Sequence, residues 1–162
     1  MHENVPPAVQ APEPRRMRDR PTWLISRAYA RVTGLLQEGF AADGDRLRGY
    51  HYRLLAALDE QGPASQAALG RGTGIDRSDV TAALVELEER GLVQRNVNPA
   101  DRRRNVVSIT AAGARRLAEL DTVVDKIQER LLAPLSEDER RQFITLIRRI
   151  ASGGQGLRAR PP

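Results

Sequence analysis

Cysteine is absent from the 162 residues, which excludes disulfides, thiolate catalysis, cysteine redox sensing and zinc–thiolate sites together. No apolar run of about 18 residues occurs, and no apolar leader follows Met1. A soluble, cytoplasmic protein without membrane association is therefore expected. Histidine is scarce, with only His2 and His51, and neither has a second ligand or an evident carboxylate beside it. His2 falls in the N-terminal arm, and His51 reads as an ordinary surface or interface residue. The Asp and Glu residues fall in helix caps and on solvent faces, with no paired set at one site. No metal, no cofactor and no enzymatic activity are expected. Lys126 is the only lysine, so nearly all positive charge is arginine, a choice that nucleotide bias in the source genome also explains. A net charge of +5 and a pI near 10.6 favour a polyanionic partner.

What is present centres on residues 65 to 110. Ser65 is placed to cap a short helix over Gln66 to Thr73, and Gly74 breaks it. Ile75 follows as an apolar plug. Asp76 opens a second helix to Arg90, with Asp79 three residues on at the N3 position, where a carboxylate suits the positive end of the dipole. Val80, Leu84 and Leu87 form one buried stripe, which leaves Arg77, Ser78 and Thr81 on or beside the opposite face. Gly91 stands where a left-handed C-cap is wanted. Val93 and Val97 then alternate with Gln94 and Asn96. The turn-rich Asn98-Pro99-Ala100-Asp101 leads to Arg102-Arg103-Arg104, and Val107 and Ile109 alternate with Ser108 in a return strand. Helix, turn, helix and an arginine-bearing hairpin outline a winged helix-turn-helix. Its second helix suits the major groove, and its wing suits the negative potential of a neighbouring minor groove or backbone. The candidate DNA-binding set is Ser65, Gln66, Arg77, Ser78, Asp79, Thr81, Arg102, Arg103 and Arg104. Asp79 serves as a cap, accepts from a cytosine amino group, or repels phosphate.

The flanks read as helices. Leu24, Ala28, Val32, Leu36 and Phe40 recur every four residues from Thr22 to about Ala41, and Trp23, Ile25, Tyr29 and Leu35 widen the apolar area to two faces. Leu47, Tyr50, Leu54 and Leu58 share one side of a helix from Leu47 to about Glu60. Thr110 is placed to cap a long helix over Ala111 to Leu132, with a heptad-like seam of Leu117, Leu120, Val124, Ile127 and Leu131. Pro134 stops it. Ser136 and Glu139 form a capping-box pattern for a last helix whose stripe is Phe143, Leu146, Ile147 and Ile150. Such seams serve an internal core or a homodimer. The first and the last two helices together offer more apolar stripe than a lobe of this size needs, which favours the homodimer. Two copies would read a pseudo-palindromic duplex with half-sites about 34 Å apart.

The expected fold is therefore mainly α with a small β-hairpin wing: a winged helix-turn-helix DNA-binding lobe joined to a helical dimerisation lobe. The boundaries are residues 1–20, a disordered arm carrying Arg15, Arg16, Arg18 and Arg20 that tracks phosphates or is only solvated; 21–46, an N-terminal dimerisation helix; 47–110, the DNA-binding lobe; 111–152, the C-terminal dimerisation helices; and 153–162, a flexible tail.

The run Gly74-Ile75-Asp76-Arg77-Ser78, then Leu84-x-x-Leu87-x-x-Arg90-Gly91-Leu92-Val93, then Pro99-Ala100-Asp101-Arg102-Arg103, then Val107-x-Ile109-Thr110-x-x-Gly113 resembles the MarR family of bacterial transcriptional regulators. The resemblance spans roughly residues 22 to 152. It implies a repressor of double-stranded DNA whose affinity falls when a small, often phenolic or lipophilic, ligand binds. For that ligand the pocket candidates are Trp23, Tyr29, Tyr50, His51 and Tyr52, although core packing also accounts for most of these rings. It further implies that Arg103 pairs with Asp101 and holds the hairpin, leaving Arg102 and Arg104 for DNA. Two features depart from the family. Gly70 and Gly72 sit in the first motif helix, each costing about 1 kcal/mol against alanine and leaving it loosely wound, and Asp79 stands where a neutral or hydroxyl residue is more usual.

Two other readings compete. Gly70-x-Gly72-x-Gly74 faintly suggests a phosphate-cradling loop, but no strand precedes it and the dinucleotide spacing is missing. A winged helix can also serve as an architectural or protein-interaction module without sequence-specific DNA binding. Apolar or acidic residues would then be expected at the N-terminal face of the second helix, and of these only Asp79 is present.

Overall fold

The computed structural model describes residues 16–98 and 101–153, with the backbone alone at residues 97, 98 and 101–105. The chain divides between Gly34 and Leu35 into two compact units, inside helix α1 (Pro21–Ala42). In the first unit α1 starts at Pro21, whose fixed φ and missing N–H suit the first helical position. Its apolar side chains remain largely in the open: Leu24, Ile25 and Tyr29 are exposed, Tyr29 to 71%.

The second unit holds the end of α1 and everything after it. The elements are α2 (Gly49–Gln61), α3 (Gln66–Thr73), α4 (Arg77–Glu89), β1 (Val93–Asn98), β2 (Asp101–Ile109), α5 (Ala111–Leu132) and α6 (Glu137–Ala151). Its core joins Leu54, Leu55 and Leu58 of α2 to Leu69 of α3, Val80, Leu84 and Leu87 of α4, and Leu117, Leu120 and Ile127 of α5. Each fully buried leucine contributes about 1.5–3 kcal/mol of transfer free energy. Ile75, between α3 and α4, is buried as the expected plug.

The strands pair antiparallel from Val93↔Ile109 to Val97↔Asn105, and the register shifts at Val97/Asn98. Val93 and Val107 turn into the core while Gln94 and Asn96 face outward. Ala64 adds a one-residue third strand, exchanging backbone hydrogen bonds of 3.0 and 2.9 Å with Val107. Thus the segment before α3 is stitched to the hairpin, and α3 starts at a fixed place.

The helix ends follow their sequence signals, with two exceptions. Ser65, Thr110 and Ser136 accept from the backbone N–H groups of Ala68, Gly113 and Glu139. Gly74 and Gly91 take the left-handed conformation, with φ of 65° and 68°. Gly70 and Gly72 lie in an unbroken helix that ends at Gly74, as the helix expected over Gln66 to Thr73 requires, and form no phosphate-cradling loop. A Cβ at Gly70 would stand 3.3 Å from the Ile75 carbonyl, so this glycine serves a close approach. Asp76 occupies the N-cap of α4, but its side chain makes no capping bond. Helix α2 begins at Gly49 rather than Leu47, with Arg48 at the N-cap.

Candidate DNA-binding surface

Helix α4 has two unlike faces. Val80, Ala83, Leu84 and Leu87 are wholly buried, and this stripe fixes the helix rotation. Arg77, Ser78, Asp79 and Thr81 are consequently exposed near its N-terminus. Among them the Thr81 side chain is held on both sides. The Thr81 hydroxyl donates to the Arg77 carbonyl at 2.8 Å and accepts from the Gln66 side-chain amide. The start of α3 is therefore tied to the first turn of α4, so Gln66 and Thr81 belong to one braced unit. Ser65, also expected to meet DNA, spends its oxygen on capping α3. Asp79 stays exposed in the first turn of α4, where its carboxylate complements the dipole.

The hairpin is fixed to the same helix. Arg95 of β1 pairs with Glu88 of α4 at 3.0 Å, and the Thr110 hydroxyl donates to the Gly91 carbonyl at 2.7 Å. The backbone of Arg102, Arg103 and Arg104 lies within β2. Their side chains, and the expected Asp101–Arg103 pairing, lie outside the described residues.

The aromatic set is divided. Trp23 and Tyr29 belong to the first unit; Tyr50, His51 and Tyr52 belong to the second. Tyr50 packs on the His51 ring with centroids 4.4 Å apart, and the Arg48 guanidinium sits 5.7 Å from the Tyr50 ring centre. Tyr52 donates from its hydroxyl to Asp121 Oδ1 of α5 at 2.9 Å. Partial burial, that hydrogen bond and the nearby carboxylates of Asp121, Asp125 and Glu60 push its phenol up to about 12. Tyr52 is thus a strut between α2 and α5.

His51 requires a correction. It is not a surface residue: its exposure is 0%, and it has a carboxylate neighbour after all. Its Nδ1 accepts the Arg48 backbone N–H at 2.9 Å, and its Nε2 lies 3.2 Å from Glu86 Oε2 of α4. Burial, more than any neighbouring charge, pushes the imidazole below 6.5. Sequence reasoning also missed the ion-pair cluster behind α4, where Arg90 holds the carbonyl and Oδ1 of Asp45 at 2.7 and 3.0 Å. Arg116 of α5 binds Asp43, Asp45 Oδ2 and Glu119. For the His51 bond to the Arg48 N–H the available signal was the N3 position of α2, a place for side chains that turn back to the N-cap N–H. Among the described residues no cluster of side chains could hold a metal, and no helix is long and apolar enough to cross a membrane.

Known proteins share this arrangement. A profile of the MarR family matches residues 47–104. The HTH-type transcriptional repressor NicR of Pseudomonas putida is 32% identical over 127 residues, 78% of this chain and 79% of NicR. The transcriptional repressor CouR, solved on a 23-mer DNA duplex, superposes with a TM-score of 0.78 at 26% identity, covering 87% of this chain and 99% of that one. BpsR of Bordetella bronchiseptica, whose DNA binding is regulated by 6-hydroxynicotinic acid, gives a TM-score of 0.76 at 26% identity, covering 87% and 98%. With the helix-turn-helix, the hairpin and these relatives in agreement, the chain belongs to the MarR family of winged-helix transcriptional regulators.

Proposed function

We propose that the chain acts as a homodimeric repressor that binds a pseudo-palindromic operator and is released from it by a small aromatic ligand. One observation carries this reading: the exposed N-terminal end of α4, with Arg77, Ser78 and Thr81, is backed by a fully buried stripe, and its Thr81 side chain is held between Gln66 and the Arg77 carbonyl. Side chains held in advance lose less freedom on binding, so their contacts with base edges and phosphates count more fully. Arg102, Arg103 and Arg104 would clamp the adjacent backbone. The division of labour follows the sequence: residues 47–110 read DNA, while 21–46 and 111–152 pair two copies.

The dimer is supported by apolar surface left without a cover. On α6, Phe143, Ile144, Leu146, Ile147 and Ile150 are all exposed, and contiguous apolar patches of this kind mark interaction sites. The effector class follows from the relatives, above all from the hydroxylated pyridine carboxylic acid that regulates BpsR. Within the second unit Tyr50 and Tyr52 are the candidate contacts; the His51 ring edge already faces Arg48 and Glu86. We infer no bond-making chemistry and a cytoplasmic place of action.

Fluorescence anisotropy on the chain's own upstream promoter duplex and on a scrambled duplex tests the reading. The promoter duplex is expected to bind at least about a thousandfold tighter. Arg77→Ala should cost about 1–3 kcal/mol of that preference. Equal, purely salt-driven affinity for both duplexes would replace the reading with an architectural role.

A further inference from the structure

A buried histidine on the far side of α4 is not used by the DNA-reading face. Its Nδ1 accepts the Arg48 N–H, one of the backbone donors that a helix start leaves unpaired. An imidazole nitrogen that accepts carries no proton, so the ring proton of neutral His51 sits on Nε2. Nε2 lies 3.2 Å from Glu86 Oε2, off the line of a hydrogen bond, so the neutral ring meets that carboxylate as a dipole and not as an ion pair. One turn along α4, Arg90 grips Asp45, which in turn takes Arg116 Nε at 3.1 Å. The segment 43–51 therefore meets the recognition helix at two points, an ion pair at Arg90 and the packing of the neutral His51 ring beside Glu86. The polar hold lies behind the helix, and the DNA face lies in front.

We propose that His51 is a positioning residue for DNA binding: neutral, it locks the start of α2 to α4, and protonation at Nδ1 releases the lock and weakens binding. The inference rests on the DNA-binding reading above. A proton on Nδ1 turns the acceptor into a donor aimed at the Arg48 N–H. The resulting cation would lie buried, with Arg48 and Arg90 opposing it and only Glu86 favouring it. Burial is the largest of these influences, and the imidazole pKa falls below 6.5. Above pH 6.5 the ring is neutral in folded and unfolded chains alike, and its contribution to stability is fully present. As pH falls from 6.5 through the lowered value, the unfolded chain takes up the proton first, and that contribution is lost.

The test is the pH dependence of promoter affinity from about pH 8 to about pH 5, above the range of ordinary carboxylates. All proteins carry His2→Gln, so that His51 is the one imidazole left. The parent should bind with constant affinity at high pH. As pH falls through the lowered value it should weaken with a slope approaching about tenfold per pH unit, the signature of one proton lost on binding. His51→Gln, which does not titrate, should give a flat profile. Glu86→Gln removes the one group favouring the cation, so its weakening should begin at lower pH. Should His51→Gln fail to fold, nitrogen NMR of the parent imidazole decides. An Nε2–H tautomer titrating below 6.5, and lower still on DNA, supports the inference; an Nδ1–H tautomer, or titration at or above 6.5, overturns it. Identical pH profiles for parent and His51→Gln would refute the lock while leaving DNA binding intact. Absence of binding at pH 8 and low salt would remove both.

Discussion

Helices α4 and α6 are of similar length, 13 and 15 residues, and each carries an apolar stripe. They are completed in opposite ways. α6 has the better local chemistry. Its capping box is formed from both sides, and the N–H and hydroxyl of Ser136 hold the Glu139 carboxyl below its usual range. Arg140 pairs with Glu137, Arg141 with Asp138, and Arg148 and Arg149 stand in the last turn against the dipole. Yet none of its residues is buried. α4 lacks a side-chain cap bond at its N-terminus, but four of its side chains are at 0% exposure. The reading helix is thus fixed by tertiary packing within one chain, whereas α6 is complete as a helix and incomplete as a fold. Its partner in our account is a second copy.

The sharpest way to break this contrast is a pair of truncations. Leu84→Ala should cost about 2–5 kcal/mol in urea unfolding, because the surrounding core relaxes only partly around the cavity. Ile147→Ala should leave a dilute monomer unchanged and instead raise the dimer dissociation constant at least about tenfold. Equal effects on monomer stability would erase the difference. Next in size is Gly113→Ala. An added Cβ would collide with the Leu92 backbone carbonyl where α5 leaves the hairpin, so about 1–3 kcal/mol should be lost. Thr110→Ala removes both the α5 cap and the bond to the Gly91 carbonyl, and thermal denaturation should register a loss of about 1–2 kcal/mol. Smallest, and of opposite sign, is Gly72→Ala. The space around Gly72 is open, so alanine should stabilise α3 by up to about 1 kcal/mol.

Much of this was legible from residue order, for reasons that differ by element. The stripe Val80–Leu84–Leu87 set the rotation of α4, and with it the exposure of Arg77, Ser78 and Thr81. Alternation around Val93 and Val107 marked the hairpin, and Ser65, Thr110 and Ser136 marked their helices because capping is a local interaction. Asp76 shows the limit: sequence named the capping residue but not the direction its side chain turns. His51 shows a deeper one. Its burial and its carboxylate neighbour follow from how α2 packs on α4, a relation between distant segments that no local pattern encodes. The same holds for the Arg116 cluster and for the Gln66–Thr81 bond. In α6 the periodicity was plain, yet a stripe does not name what covers it.

Sedimentation equilibrium of the protein with and without its promoter duplex tests the central claim most directly. The account predicts a dimer in solution and two chains on each duplex. A monomer that binds one chain per duplex with full specificity would contradict it.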